Sequence, residues 1–320
     1  MMFERVPQDE SDWIRALASV EIPVLGRTVS ELSRLRDNED NLVARDISRV
    51  LLHDPMFTMR VLRFMAAQRK PGQETELTTV EHALMMLGVS PFFRNFGNMP
   101  AVESTLEGFP PALEGLMRVI NRARHAALYA RDWAAVRHDI ESDEVVIAAL
   151  MHDLAEMLLW CFAPEPALRI QDLMRRDRAL RSGAAQRAVL GFTLIDLQLA
   201  LIDEWKLPAL LRALMDDAHV MQARAVNVLL AVDLARHSAN GWNDPALPDD
   251  YIAIRKFLEM PEQDILERIQ RTARQAESEW GWYQASAALA QPSLEIRARS
   301  VQGSVIPDDI QGMAGNWRTD

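Results

Sequence analysis

Four residues of this chain are of the types that hold a catalytic metal ion. His152 and Asp153 are adjacent within the apolar run 145–157, His125 lies upstream, and Asp233 lies downstream in another apolar run. Neutral imidazoles and carboxylates suit a divalent transition metal that activates water at a phosphate ester. The set therefore predicts a metal-dependent phosphohydrolase, or a site descended from one.

The adjacent histidine and aspartate limit where such an ion could lie. Neighbouring residues of a helix point about 100° apart, so both reach one ion only near the helix edge that faces the core. The remaining ligands must then come from other helices. The alternative is a buried polar pair that bonds to nearby backbone and side chains without any metal. The residues leave both readings open, and beyond a divalent transition metal we expect no cofactor.

The charge of the chain argues against a broad nucleic-acid-binding surface. The 320 residues carry 35 Lys and Arg against 46 Asp and Glu, a net charge of −11, whereas nucleic acids are bound by basic surfaces. One local exception is the stretch 169–187, which holds six arginines and two aspartates. Within it, Arg175, Arg176 and Arg178 are candidates for contact with a phosphate or an acidic partner. A solvated helix face is the alternative.

The composition also predicts a cytoplasmic protein. The single cysteine, Cys161, can form no disulfide within the chain, which suits a reducing compartment. The first residues show no basic segment followed by an apolar one, so they do not indicate a secretory signal. The longest apolar runs, 145–151 and 157–163, are shorter than the ~20 residues of a membrane helix, and no membrane association is expected.

Helix signals recur along the chain, and no stretch shows convincing strand alternation, so the predicted fold class is all-α. Asp54-Pro55 places an N-cap before a proline at the first helical position. Thr78-Thr-Val-Glu81 predicts a capping box. The apolar pattern predicts one helix over 143–162, while residues 100–111 interrupt the helical pattern and are expected to divide two subdomains.

Several motifs, in a fixed order over about residues 20–220, resemble the HDOD family of bacterial signalling domains, which is related to the HD-type metal-dependent phosphohydrolases. Ile22-Pro-Val-Leu25 is similar to the Leu-Pro-x-Leu opening of that family. The other matching segments are Ile47-Ser-Arg-Val-Leu-Leu-His-Asp-Pro-Met56 with Arg60-Val-Leu-Arg-Phe64, Thr78-Thr-Val-Glu-His-Ala-Leu-Met-Met-Leu-Gly88, Leu150-Met-His-Asp-Leu154, and Leu190-Gly191 with Glu204-Trp-Lys-Leu-Pro208.

The resemblance implies a multi-helix, HD-related bundle. It places the domain at 21–220, with a smaller N-terminal helical subdomain at 21–105 and an HD-like subdomain at 106–220. We expect a helix at 1–20 before it and a helical C-terminal extension at 221–290 after it. Residues 291–320 are expected to be a partly disordered tail.

Departures from the family pattern bear on the expected function. Leu194 stands where relatives commonly have a histidine, Ala218-His219 replaces a His-His pair, and Ala155-Glu156 follows the His-Asp pair where catalytic HD enzymes often have Gly-Lys. A glutamate near a phosphate-binding centre adds repulsion. The resemblance thus implies a non-catalytic regulatory module that binds a signalling protein or small ligand through a degenerate cleft. A metal-dependent phosphohydrolase acting on a nucleotide or cyclic dinucleotide is the alternative.

Overall fold

Every regular element in the described part of the chain is helical. The computed structural model describes residues 2–68, 80–177, 180–216, 222–239 and 241–278, and within these ranges it has no strand. The predicted all-α fold class is confirmed. The helices are α1 (Glu10–Ala18), α2 (Gly26–Arg36), α3 (Ala44–Leu51), α4 (Pro55–Ala67), α5 (Val80–Leu87), α6 (Val89–Phe96), α7 (Val102–Thr105), α8 (Pro110–Val136), α9 (Ser142–Met151), α10 (Leu154–Phe162), α11 (Pro164–Arg176), α12 (Ser182–Leu190), α13 (Leu194–Glu204), α14 (Ala209–Met215), α15 (Ala223–Ser238), α16 (Leu247–Leu258) and α17 (Glu262–Ser278).

Some of the predicted features fall outside the described residues. These are the two threonines of the predicted capping box, the last part of the C-terminal extension, the tail at 291–320, and two of the singled-out side chains, Arg178 and His219.

Asp54 joins the start of α4 to the start of α2. Its carboxylate accepts a hydrogen bond from the Phe57 N–H at 3.0 Å, which is the cap that Asp54-Pro55 predicted. It also accepts from the Leu25 N–H at 2.8 Å and from the Thr28 hydroxyl at 2.7 Å. Burial raises the pKa of this carboxyl group, and the donors around it oppose that shift because they favour the charged form.

Residues 100–111 are hydrogen-bonded to the chain around the start of α2. The Val24 N–H donates to the Pro100 carbonyl at 2.9 Å, and the Val102 N–H donates to the Val24 carbonyl at 2.8 Å. The Glu103 carboxylate accepts from the Gly26 N–H at 2.9 Å. One apolar core also extends through the buried residues of both halves. The division into two subdomains therefore stays a prediction.

The long helix α8 is the central element of the bundle. It packs against α9, α10, α15 and α17, and its buried residues lie on most of its circumference. Gly115 allows the close contact with α10, because a Cβ atom at this position would come within 2.6 Å of the Trp160 ring. Helix α8 therefore contacts α9, α10 and α15, three of the helices that contribute to the candidate site described below.

The apolar stretch Ser142–Phe162, which comprises α9 and α10, is long and apolar enough to span a membrane by length and composition. Its most apolar window is 83% buried within the protein, however, and one such stretch is weak evidence for a span because interior helices of globular domains have the same composition. The packing of both helices against α8 accounts for their apolar character.

The C-terminal helices are attached to the bundle by charged contacts as well as apolar ones. Helix α15 packs on α8, α16 packs on α15, and α17 packs on α8 and α16. Arg268 of α17 donates to both carboxylate oxygens of Asp132 on α8, at 2.7 and 2.8 Å. His237 near the end of α15 lies with its Nδ1 atom 2.7 Å from Oδ2 of Asp250 on α16.

The contact between His237 and Asp250 predicts a pH dependence of stability. The hydrogen bond to Asp250 raises the pKa of His237, so the folded state favours the imidazolium. Burial raises the pKa of Asp250, although His237 opposes that shift. Because aspartate ordinarily titrates near 3.9 and histidine near about 6.5, we attribute changes between about pH 6 and 8 to the imidazole. The stabilisation is complete below the unfolded pKa and is lost as the pH rises through the raised folded pKa.

We expect the free energy of unfolding, measured by urea denaturation, to fall by up to about 1 kcal/mol across that interval. His237→Asn keeps a donor near the Nδ1 position but cannot titrate, so this variant should lose the pH-dependent part. An unchanged pH dependence in His237→Asn would show that another group is responsible.

Candidate functional site

The His-Asp pair lies at an interruption between two helices. Helix α9 ends at Met151 and α10 begins at Leu154, so the prediction of one helix over 143–162 is wrong at this point. His152 keeps helical dihedral angles (φ −58°, ψ −36°), but Asp153 departs from them (φ −101°, ψ 24°). The pair therefore occupies a turn whose backbone orientation a regular helix could not provide.

The side chain of Gln198 on α13 bridges this interruption. Its Oε1 atom accepts from the Ala155 N–H at 2.7 Å, and its Nε2 atom donates to the Met151 carbonyl at 2.9 Å. These are the two backbone groups that an uninterrupted helix would join to each other. Gln198 is 1% exposed, so its amide replaces a buried helical hydrogen bond and satisfies both partners.

The Asp153 carboxylate is neutralised by Arg122 of α8. The Nε atom of Arg122 lies 2.8 Å from Oδ2 of Asp153, and its Nη2 atom lies 2.6 Å from the same oxygen. Nη2 also lies 2.6 Å from Oε2 of Glu156 on α10. The side chains of Arg122 and Asp153 are 17% and 10% exposed. One guanidinium thus joins two carboxylates across the interface between α8 and α10.

These contacts determine the charge states at the site. Burial alone would raise the pKa of Asp153, but Arg122, and then His152 and Arg236, lower it well below its ordinary value. Burial would likewise lower the pKa of Arg122, and the carboxylates of Asp153 and Glu156 reverse this effect and raise it. Both groups therefore stay charged in the folded protein.

A second arginine links Asp153 with the distant Asp233. Arg236 of α15 places its Nη2 atom 3.7 Å from Oδ1 of Asp153 and its Nη1 atom 3.7 Å from Oδ1 of Asp233. The structure thus brings these two predicted metal ligands to the same guanidinium. At 3.7 Å these contacts are ion pairs, and they are longer than charge-assisted hydrogen bonds.

The two histidines of the predicted metal set bond to groups near them in the chain. The Nδ1 atom of His152 lies 3.4 Å from Oδ1 of Asp153. The Nδ1 atom of His125 lies 2.9 Å from the carbonyl of Asn121, one turn earlier on α8, and its ring lies 6.4 Å from that of Tyr129.

The donor set does not fit a bound metal ion. Across the described ranges, no three His, Cys, Asp or Glu side chains are grouped so that they could hold one. Oδ2 of Asp153 is within hydrogen-bond distance of two Arg122 nitrogens, and its Oδ1 lies 3.7 Å from Nη2 of Arg236. A divalent cation at this position would have to compete with a tethered guanidinium and would be repelled by it.

Sequence reasoning found the two carboxylates but missed the arginines and the glutamine that organise them. A signal for the arginines was present: Arg122 precedes His125 by three residues, and Arg236 follows Asp233 by three, which places each pair on one face of a helix. Glu156, which we expected to repel a phosphate, is instead paired with Arg122. No comparable signal marks Gln198.

The arginine-rich stretch is separate from this turn. Arg175 and Arg176 are exposed residues in the last turn of α11, where cations interact favourably with the helix dipole. Arg175 lies 3.6 Å from Asp172. The third candidate, Arg178, is outside the described residues.

Comparison with known proteins agrees with this architecture. The sequence profile of the HDOD domain family matches residues 22–221, and the chain belongs to that family. A search of curated proteins finds no match.

Solved structures share the fold at low sequence identity. The MmoQ response regulator of Methylococcus capsulatus is 18% identical and superposes with a TM-score of 0.57, over 78% of this chain and 98% of that one. A virulence factor of Campylobacter jejuni is 16% identical, with a TM-score of 0.58, over 83% and 99% of the two chains. At these identities the likeness concerns the fold alone.

Replacement of Gln198 tests the bridged interruption. In Gln198→Ala the Ala155 N–H and the Met151 carbonyl lose their partners, and two unsatisfied buried groups should cost about 2–4 kcal/mol of unfolding free energy. Gln263→Ala, which removes an exposed amide bonded to Glu267, is the control and should change stability by less than about 0.5 kcal/mol. Equal effects of the two replacements in urea denaturation would mean that the Ala155 N–H and the Met151 carbonyl can bond to each other when the amide is absent.

Replacement of Arg122 tests the neutralisation of Asp153. Arg122→Ala leaves a buried carboxylate without its main partner and should lower the unfolding free energy by about 3 kcal/mol. Arg118→Ala, one turn earlier, removes an exposed pair with Glu114 and should cost less than about 1 kcal/mol.

The pH profile of the Arg122→Ala variant provides a second readout. Because the pKa of Asp153 is depressed in the folded state, the pair stabilises fully above the ordinary carboxyl pKa of about 3.9, and this contribution is lost as the pH falls through the depressed value. The difference between wild type and Arg122→Ala should therefore shrink in acid. A difference that does not change with pH would contradict the charge pairing.

Proposed function

We propose that this protein is a non-catalytic regulatory module of the HDOD family, acting in the cytoplasm through a protein partner or a small regulatory ligand. The observation that carries the proposal is the bridge from Arg122 to Asp153 and Glu156. This bridge pairs a guanidinium with Asp153, which is the carboxylate next to His152 and the strongest candidate metal ligand. A hydrolase of this type needs that carboxylate for an ion which activates water.

The surroundings of the turn support the same proposal. Hydrolysis of a phosphate ester is assisted by positive charge that faces the transferred group, but here the guanidinium of Arg122 faces two carboxylates of its own chain. The four acidic and basic side chains Arg122, Asp153, Glu156 and Arg236 have no net charge together. A phosphate anion entering the cleft would therefore meet neither a metal-ligand set nor an excess of positive charge.

The fold offers a route by which binding at the cleft could reach the C-terminal helices. Arg236 pairs with the turn at Asp153, and the next residue, His237, bonds to Asp250 of α16. A ligand or partner that displaces Arg236 would act on the end of α15 that holds α16. We propose this contiguous set of contacts as the regulated element, since a conformational signal requires a physical connection with two arrangements.

Metal analysis and turnover test the proposal together. The purified full chain, incubated with Mn²⁺ and desalted, should hold less than a stoichiometric amount of metal. It should also hydrolyse bis-p-nitrophenyl phosphate and a cyclic dinucleotide no faster than the His152→Ala variant. His138→Ala, a change at an exposed histidine in the loop between α8 and α9, is the control for handling.

Stoichiometric metal that is lost in His152→Ala, accompanied by turnover, would overturn the proposal in favour of a metal-dependent phosphohydrolase acting on a nucleotide or cyclic dinucleotide. In that case the side chains of His125, His152, Asp153 and Asp233 would have to rearrange around the ion, and Arg122 would have to leave Asp153.

A further inference from the structure

A small cavity lies between the N-terminal segment (residues 3–13) and helices α11 and α12, away from the His-Asp turn. It has a volume of about 150 Å³. Trp13, Pro166 and Leu190, which are all buried, contribute apolar surface to its lining. Gln8, Glu165 and Arg169 contribute polar surface to the lining. A cavity of about this volume accommodates a molecule of the size of benzene. It is therefore large enough for one bulky apolar side chain, and too small for a nucleotide.

The wall formed by the N-terminal segment is held in place by aromatic contacts. The Phe3 N–H donates to the Phe162 carbonyl at 2.8 Å. The Phe3 ring stacks on that of Phe162 at 5.7 Å and meets the ring of Trp13 edge-on at 6.1 Å. Val6, which also lines the cavity, is 41% exposed. The apolar surface is thus preformed and open at one side.

Charged residues of α11 lie at the rim of the cavity. Glu165 and Arg169, one turn apart, both line it and are both exposed. Arg176 is exposed and lies two turns beyond Arg169 on the same face of the helix. Neither of these two guanidiniums has an ion-pair partner among the described residues. Asp172, which lies between them, is drawn towards Arg175 at 3.6 Å.

We infer that this cavity and the adjoining row of Arg169 and Arg176 form a docking site for an acidic peptide segment of a partner protein, with one bulky apolar side chain as its anchor. This inference rests on the proposed regulatory function, because it names the surface and the chemistry of the partner. The argument is charge complementarity: Arg169 at the rim of the cavity and Arg176 two turns further along α11 are exposed and have no ion-pair partner among the described residues, so both guanidiniums can pair with acidic side chains of another molecule.

The geometry sets the pattern of the peptide. Seven residues of α-helix separate the two arginines by about 10 Å along the axis. Acidic residues three apart in a polyproline II segment lie on one side of it, about 9 Å from each other, so they can reach both guanidiniums. Glu165 disfavours acidic residues on its own side of the cavity. The acidic residues must therefore lie on the Arg169 side of the anchor, along α11, and the peptide chain can run in either direction.

Fluorescence anisotropy with synthetic peptides tests this site on the full chain. The probes are fluorescein-labelled twelve-residue peptides with a phenylalanine, leucine or tryptophan anchor and two glutamates three residues apart, and each is made with the anchor before and with the anchor after the glutamates. We expect saturable binding that weakens about tenfold or more in Arg169→Glu and in Arg176→Glu, because each loses a charge-assisted contact. Replacing the anchor by alanine in the peptide should weaken binding similarly, without any change to the protein.

Arg94→Glu is the matched control, because Arg94 is exposed on α6, outside the set of residues that line the cavity, and the charge change is the same. It should alter the dissociation constant less than about twofold if the interaction is local. Absence of binding by all three anchor peptides, or equal weakening by Arg94→Glu, would overturn the inference. So would displacement of the peptide by a DNA oligonucleotide that binds more tightly, which would assign the arginines to nucleic acid.

The outcomes separate this inference from the proposed function. Metal-dependent turnover that depends on His152 would overturn the regulatory function, whatever the peptides do. Loss of peptide binding in the α11 variants, with Arg122→Ala still binding, would assign recognition to the cavity and not to the cleft. Peptide binding that Arg122→Ala abolishes while Arg169→Glu does not would overturn the docking site and leave the cleft as the place of recognition.

Discussion

The Asp153 carboxylate lies in the interior of a helical bundle, and its charge has to be balanced there. A buried carboxylate without a partner costs several kcal/mol, and either a metal ion or a guanidinium can remove that cost. This chain uses the guanidinium of Arg122. A guanidinium is planar, always charged and able to join two carboxylates at once, so it also holds Glu156 of α10 against α8. The ionic balance at the turn of His152 and Asp153 is therefore supplied from within the chain.

The position of Asp153 depends in turn on a broken helix. If α9 and α10 were continuous, the backbone at Asp153 would keep helical angles, and its side chain would take a different direction. The Gln198 amide holds the break open, since it satisfies both backbone groups that the break leaves without partners. Three helices thus meet at one turn: α13 supplies the amide, α8 supplies the guanidinium, and α15 supplies Arg236. Packing between these helices is what makes the short distances at the turn attainable.

The sequence predicted the local features well and the pairing between helices poorly. The helix start at Asp54-Pro55 and the all-α class follow from capping and periodicity, which act within a few residues of the chain. The predicted metal set was drawn from residue types known to bind metals, and two of its members do meet at Arg236. The roles of Arg122 and Gln198 depend on contacts with residues 31 and 43 positions away or more. A single sequence carries no periodic signal for such contacts, and the apolar run through 143–162 conceals the break.

The arginines of this acidic chain occupy two physically different environments. Arg122 is largely withdrawn from water and faces two carboxylates, so its charge is consumed by the fold. Arg169 at the rim of the cavity and Arg176 two turns beyond it are exposed and have no ion-pair partner in the described part of the chain, so their charge remains available to another molecule. Arg176, in the last turn of α11, also interacts favourably with the helix dipole. The proposed docking site uses this available charge together with the cavity at the start of α11.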